Sequence, residues 1–267
     1  GIIMNLDIAG KRALITGSTR GIGLASAVEL ASMGADIVIN GRSQDKVDEA
    51  IDVVTSKVPN ATIQGIAADL GTADGCKTMI GAVPDVDILV NNMGIYDPKA
   101  FENISDDDWE LMFTVNVMSG VRLSRHYLPL LLKKNWGRVV FVSSESGVFI
   151  PPEMIHYGFS KAAQLAIARG MAELTAGTAI TVNSVLPGPT LVELQTARLT
   201  ARAQDQGTSV EALVEKTFSE RRPSSLIKRY ATPEEVANLI AYVCSPASAA
   251  TNGAALRVDG GIVRNPF

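Results

Sequence analysis

Ala13-Leu14-Ile15-Thr16-Gly17-Ser18-Thr19-Arg20-Gly21-Ile22-Gly23 sets the reading of the whole chain. An apolar run of strand length enters a turn carrying three glycines, and an amphipathic helical pattern over 21–33 follows at once. Glycines permit a tight turn and a close approach of backbone to a bound anion. The first turn of a helix points free N–H groups and the positive end of its dipole at that anion. A glycine trio alone is a weak signal. Between a strand and a helix, at the first crossover of an α/β chain, it reads as a dinucleotide pyrophosphate site, with an ordinary glycine-rich turn as the alternative.

The same alternation continues to the end of the chain. Strands are expected over 12–16, 36–40, 62–67, 87–91, 138–143, 179–185 and 255–258, and helices over 21–33, 45–57, 75–83, 106–134, 156–175 and 233–244. Uniformly apolar strands joined by helical crossovers argue for a doubly wound parallel sheet covered on both faces, a three-layer α/β arrangement. Ser105-x-x-Asp108 marks the start of the longest helix, and Pro129 is expected to break or kink its far end. The stretch 191–229 is polar, charged and poor in strand signals. It follows Pro187-Gly188-Pro189 and reads as an excursion holding one or two short helices, a substrate lid around 190–229 within a single domain spanning 1–267.

Composition narrows the function classes. The 267 residues are 46% hydrophobic, enough for one large domain with a sizeable core. Two cysteines and two histidines leave no disulfide framework and no metal-ligand cluster, so no metal is expected. A formal charge of −4 offers no general attraction to nucleic acid or an anionic membrane, and no apolar run approaches the ~18 residues of a membrane span. Gly1-Ile2-Ile3-Met4 is too short for a signal peptide, and a soluble cytoplasmic protein is the default reading.

Which dinucleotide binds is read after the second strand, where an NAD site normally places an acid for the adenine ribose hydroxyls. Here the chain reads Asn40-Gly41-Arg42-Ser43. A guanidinium suits bidentate contact with a 2′-phosphate, and Arg20 in the glycine turn adds a second charge. NADP(H) is therefore preferred, with NAD(H) as the alternative and a solvated Arg42 as the bland reading. Asp69-Leu70 ends the third strand and would border adenine. Asn91-Asn92-Met93-Gly94 ends the fourth, at the edge where open sheets bind ligands, or forms a simple turn.

Tyr157 and Lys161 lie four residues apart at the start of a helix and share one face. An ammonium beside a phenol stabilises the phenolate and lowers its pKa, making Tyr157 a usable proton donor or acceptor. A solvated surface pair is the alternative. Ser144, closing the fifth strand, could hold a substrate oxygen. Asn116, between Val115 and Val117, is a polar residue that would need partners, which a water chain to Lys161 would supply. His156 faces about 100° from Tyr157 and reads as structural or exposed, and His126 as core edge or interface. Together these parts suit hydride transfer to or from a carbon bearing oxygen.

Thr16-Gly17-x-x-x-Gly21-x-Gly23, Asn91-Asn92-x-Gly94, Asn116, Ser144, Tyr157-x-x-x-Lys161 and Pro187-Gly188 together resemble the short-chain dehydrogenases/reductases. The likeness runs from Ile8 to Gly261. The resemblance implies a Rossmann-fold oxidoreductase with an Asn116–Ser144–Tyr157–Lys161 tetrad and a small-molecule carbonyl or alcohol substrate. Tyr157 would be the acid/base, Lys161 would lower its pKa and bind the nicotinamide ribose, and Ser144 would orient substrate. Asn116 would anchor a relay water. It also implies that Gly17, Ser18, Thr19, Arg20, Gly21, Ile22 and Gly23, with Arg42 and Ser43, hold the nucleotide, Arg20 and Arg42 recognising the phosphate. Asp69 and Leu70 would meet adenine and Asn92 and Gly94 the ribose, with Pro187, Gly188 and Thr190 at the nicotinamide end. A homo-oligomer is implied, tetramer over dimer, with the helices around Asn116 and Tyr157 at one interface and the tail from Ala255 to Phe267 at another.

Met93 stands where the family usually has alanine and is expected to narrow the pocket or press on the cofactor. The chain is also similar to 3-oxoacyl-carrier-protein reductases, but Asn135 and Thr178 replace the arginines that dock an acidic carrier there. Lys133, Lys134 and Arg138 remain nearby, so this activity stays an alternative, as does a non-catalytic NAD(P)-binding interaction protein. Selectivity is expected from Glu145, Met93, Ile95, an apolar wall of Phe149, Ile150 and Met154, and the lid from Leu191-Val192-Glu193. Arg221-Arg222 and Lys228-Arg229 are read as solvated surface rather than as a site for acidic substrates.

Overall fold

The computed structural model describes residues 3–266. Gly1, Ile2 and Phe267, at the ends of the opening segment and of the tail expected at an interface, lie outside the described residues. Seven strands, β1 (Arg12–Ile15), β2 (Asp36–Gly41), β3 (Ile63–Ala67), β4 (Ile88–Asn91), β5 (Gly137–Val142), β6 (Ile180–Pro187) and β7 (Ala255–Val258), form one sheet. Their order is β3-β2-β1-β4-β5-β6-β7 and every pairing is parallel. The chain reverses its direction of winding between β1 and β4, the switch point where a crevice opens at the carboxyl edge. This is the three-layer Rossmann arrangement that the strand pattern implies.

Alternation along each strand builds two cores. Ala13, Ile15, Ile37, Ile39, Val90 and Val140 point to one face, under α1 (Gly21–Ser32), α2 (Gln44–Lys57) and the last long helix, Pro233–Cys244. Leu14, Val38, Leu89, Val139 and Phe141 point to the other, under the helices Ala73–Ala82, Ser119–Lys134 and Ile155–Glu173. Because both faces are buried, the strands read as near-continuous apolar runs instead of alternating ones.

The long helix begins at a capping box: Ser105 Oγ accepts from Asp108 N, and the Asp108 carboxylate accepts from Ser105 N. It runs as Asp106–Phe113, one wide π turn over Thr114–Met118, then Ser119–Lys134. Pro129 does not break it. That residue is exposed, so the carbonyl of Arg125, which loses its donor, stays within reach of water, and the buried face formed by Tyr127, Leu128 and Leu131 keeps the helix on the sheet. The segment expected to act as a lid forms two helices, Glu193–Asp205 and Val210–Lys216, with a π turn over Thr217–Arg221. Leu199, Ala203 and Leu213 give it a small core of its own, with Val210, Val214 and Tyr230 against it.

Candidate active site

The glycine turn is built from its backbone outward. Gly17 and Gly21 take φ of +58° and +57°, the left-handed region that favours glycine. A Cβ at Gly23 would sit 2.3 Å from the carbonyl oxygen of Gly17. Thr16, Asn40 and Asn92 pin the turn. Thr16 Oγ1 accepts from the amides of Asn92 and Met93, and Asn92 Nδ2 donates to the carbonyls of Thr16 and Gly17. Asn40 Oδ1 accepts from Gly17 N, and its Nδ2 donates to Ala68 O. The α1 amino end that follows carries no capping side-chain bond and no acid in its first turn, so its N–H groups are left for an anion.

Several expected cofactor residues are committed to the fold. Ser18 is fully buried, its hydroxyl donating to Ile15 O and accepting from Asn40 N. Leu70 is fully buried in the core, so only its backbone, in the turn after β3, is placed to border a ligand. Asp69 is exposed, though Oδ1 accepts from Gly71 N. Arg20, Arg42 and Ser43 are exposed, and Gly41 abuts Thr19, which places the end of β2 beside the glycine turn. Asn40 was missed as a functional residue; its signal is a polar amide inside an apolar strand.

The residues expected at the reacting end converge on one cavity of about 920 Å³. Ser144, Tyr157, Lys161, Asn92, Gly94, Ile22, Pro187, Gly188 and Thr190 all line it. A Cβ on Gly188 would meet the Asp259 backbone at 2.7 Å, so glycine lets the end of β6 close against the β7 turn. The residues expected around adenine and its ribose, Gly17–Arg20, Arg42 and Asp69, lie outside this cavity along the same sheet edge, and Asn116 lies beneath it.

The π turn sets Asn116, which is fully buried. Its Oδ1 accepts from Ile95 N at 2.7 Å, and its Nδ2 donates to Ile95 O and to Ser160 Oγ at 2.8 and 3.0 Å. Its own carbonyl accepts from Gln164 Nε2 at 2.9 Å. These partners satisfy the buried amide, which the wide turn aims at the Gly94–Ile95 backbone. Lys161 Nζ donates to Val142 O at 3.1 Å, and Ser143 Oγ donates to Lys161 O, fixing the helix on the end of β5.

Opposing influences act on the Tyr157 phenol. Burial pushes its phenol above the ordinary tyrosine value, with the Ser144 hydroxyl pulling it back and Glu145 adding to the rise. Lys161 Nζ stands 5.7 Å from the ring centroid, and burial brings its own pKa down to about 8. Ser144 Oγ donates to Glu145 Oε2 at 2.6 Å and accepts from Ser146 N. Glu145 is itself buried, which raises its carboxyl pKa, while Ser144 and Arg222, whose Nη1 is 3.8 Å from Oε1, lower it.

The walls also differ from expectation. Met93 turns into the core, its methyl toward Gly71, and leaves the cavity alone. Of the expected apolar wall only Met154 lines the cavity; Phe149 and Ile150 are exposed, the latter over Gly158. Glu193 is exposed and outside it. Arg221 and Arg222, read as surface, line the cavity with Arg198 and Arg202, whereas Arg229 pairs with Glu235 and Lys228 Nζ donates to Pro223 O, as a surface pair would. Tyr96 was missed: its ring meets that of Tyr157 edge-on at 6.3 Å, and its hydroxyl accepts from Arg198 Nη1. His156 is fully buried against Trp109, consistent with a structural role. Among the described residues no helix is long and apolar enough to cross a membrane.

Comparison with known proteins agrees with this geometry. The uncharacterized oxidoreductase YvaG of Bacillus subtilis is 46% identical over 264 residues, covering 99% of this chain and all of that protein. The D-beta-hydroxybutyrate dehydrogenase of Cupriavidus necator is 33% identical, covering 95% and 98%. The structure of L-sorbose reductase from Gluconobacter frateurii, complexed with NADPH and L-sorbose, superposes with a TM-score of 0.92 at 30% identity, covering 98% of this chain and all of that one. With residues 11–203 matching the profile of the short chain dehydrogenase family, the chain belongs to that family of oxidoreductases.

Proposed function

We propose that this protein is an NADP(H)-dependent oxidoreductase that interconverts a carbonyl and a secondary alcohol, with Tyr157 as the acid/base. The observation that carries the reading is the meeting of Tyr157, Lys161 and Ser144 in one cavity with Ile22, on the uncapped end of α1. The residues fit a phosphorylated dinucleotide: a cradle that a Cβ at Gly23 would fill, an amino end free for pyrophosphate, and Arg20 and Arg42 where a ribose-binding acid is absent. The NADPH complex of L-sorbose reductase supports the same choice.

When bound, the nicotinamide supplies or accepts the hydride. The chain handles the proton. Burial keeps the Tyr157 phenol protonated near neutral pH, the form that gives a proton from Oη to a carbonyl oxygen. Ser144, whose hydroxyl rests on Glu145 Oε2, would turn it to the same oxygen when substrate binds. Lys161 places the nearest positive charge below the phenol and would hold ribose hydroxyls. Asn116, by gripping both backbone groups of Ile95, fixes the Gly94–Tyr96 loop above them.

A free small molecule suits the surface better than a carrier protein. Lys134 is occupied by Asp85 and Asp87, and Arg138 is buried with its guanidinium on Ser245 and Ala179 carbonyls, so Lys133 alone remains of the three nearby cations. Exposed Leu111, Phe113 and Phe159, on the helices around Asn116 and Tyr157, support a homo-oligomer assembled through that face.

Titration of cofactor-free protein with NADPH and NADH, followed by a carbonyl screen, tests the proposal. NADPH should bind more tightly, and Arg42→Ala should narrow the gap; equal or tighter NADH binding refutes the assignment. Tyr157→Phe should bind NADPH normally and lose nearly all turnover. A non-catalytic role would be indicated by tight NADPH binding with no carbonyl or alcohol turned over.

A further inference from the structure

The lid brings four arginines to the catalytic cavity. Arg198 and Arg202, four residues apart on Glu193–Asp205, share one helix face, and Arg221 and Arg222 close the facing π turn. Against them the cavity holds two carboxylates, Glu145 and Glu153. Glu145 is already engaged, Oε2 by the Ser144 hydroxyl and Oε1 facing Arg222. Arg198 is held by the Tyr96 hydroxyl, whose ring lies against Tyr157. Arg202 and Arg221 have no acid within ion-pair distance among the described residues, and both also border a second, smaller cavity of about 160 Å³ with Lys216 and Glu220. A chain of net charge −4 thus presents a positive cavity mouth at its reactive centre.

These charges belong to the substrate side. The residue of the lid that touches the glycine turn is Val192, against Gly21, while Arg198 lies more than a helical turn further on and is tied through Tyr96 to the acid/base. The phosphate of an adenine ribose would meet Arg20 and Arg42, which lie outside this cavity.

We propose that the substrate carries an anionic group, a carboxylate or a phosphate, which Arg202 and Arg221 hold while the carbonyl lies at Tyr157. Arg198 and Arg222, braced by Tyr96 and Glu145, position the lid for that contact. The inference rests on the carbonyl–alcohol reading and names the class of substrate within it.

The test uses NADPH-saturated enzyme and substrates matched in skeleton: D-fructose, D-fructuronate and D-fructose 6-phosphate, which differ at C6, and ethyl acetoacetate against acetoacetate. In at least one set an anionic member should exceed its neutral partner at least tenfold in kcat/KM. Arg202→Gln/Arg221→Gln should collapse that ratio toward one, mostly through KM, and the double lysine variant should recover part of it. Turnover of the neutral member reports that the variant is folded. A preferred carboxylate or a preferred phosphate identifies the source of the charge. Equal or better turnover of neutral members in every set overturns the anion site and leaves the oxidoreductase reading standing, as does an equal loss for both members in the variant. A rise in the KM for NADPH without a change in the ratio assigns the arginines to the cofactor and also overturns it. No turnover of any carbonyl overturns both.

Discussion

Lys161 should cost the fold stability at neutral pH, and removing it should show how much. Burial lowers its pKa from 10.5 to about 8, so the folded chain holds the proton less tightly than the unfolded chain does. Below about pH 8 the ionised side chain is therefore a burden of about 3 kcal/mol, and the burden lifts as pH rises toward the ordinary lysine value. Between about pH 7 and about pH 9.5 this group alone should add about 2 kcal/mol to the unfolding free energy. Lys161→Met removes the charge along with its hydrogen bond to Val142 O, a charge-assisted bond worth roughly 1.5–3 kcal/mol. The two effects nearly offset at pH 7, so the variant should be about as stable as the parent while losing turnover. Urea unfolding of cofactor-free protein at the two pH values, parent against variant, isolates the term because every other titrating group is common to both. The variant should lack the parent's extra gain of about 2 kcal/mol. Identical pH dependence in the two proteins would refute the argument that Lys161 is held as a desolvated cation.

Gly23→Ala puts a methyl group 2.3 Å from the Gly17 carbonyl and 2.6 Å from Asn92 Nδ2, neither of which can retreat without loosening the turn. It should cost about 1–3 kcal/mol of stability and weaken NADPH binding far more than any substitution at exposed Ser43, as fluorescence titration would show. Asn116→Ala removes the side-chain contacts to Ile95, Ser160 and Met112, frees both backbone groups of Ile95, and should lower kcat at least tenfold with a smaller change in NADPH affinity. Steady-state kinetics with normal kcat would show that the Gly94–Tyr96 loop holds without it.

The fold was legible because burial on both faces leaves its mark on every strand, as the alternation of Leu14 with Ala13 and Ile15 between the two cores shows. The catalytic spacing was legible because Tyr157 and Lys161 are local on one helix, and the glycine turn because its conformation admits few residues. Direction was harder to read than identity. Met93 and Leu70 lie in the turns that follow β4 and β3, and their side chains pack toward the core, a direction set by turn conformation that no strand or helix period announces. Asn116 was found, but its partners depend on the π turn, which no sequence periodicity announces. The lid was least legible. Arg221 and Arg229 are chemically alike and eight positions apart, yet Arg221 lines the cavity and Arg229 pairs with Glu235, a difference made by tertiary packing.

That difference follows from how the two ends of the crevice are made. The cofactor end is backbone: helix N–H groups, carbonyls of Thr16 and Gly17, and glycines whose Cβ would collide. Side-chain substitution there has little to adjust and much to break. The substrate end is side chain, carried on a segment with its own small core and held to the sheet by a few main-chain bonds. Leu191 N and Leu226 N donate to Ala231 O and Gly260 O, at 2.9 and 2.8 Å, on either side of the lid. Its arginines can be exchanged without disturbing the packing of the seven strands, because none of the four belongs to either main core. Charge selection at the mouth is thus separable from hydride and proton transfer beneath it. On this scaffold a change of substrate class should arise first in Glu193–Arg222, and a change of cofactor first at Arg42, with the tetrad untouched by both.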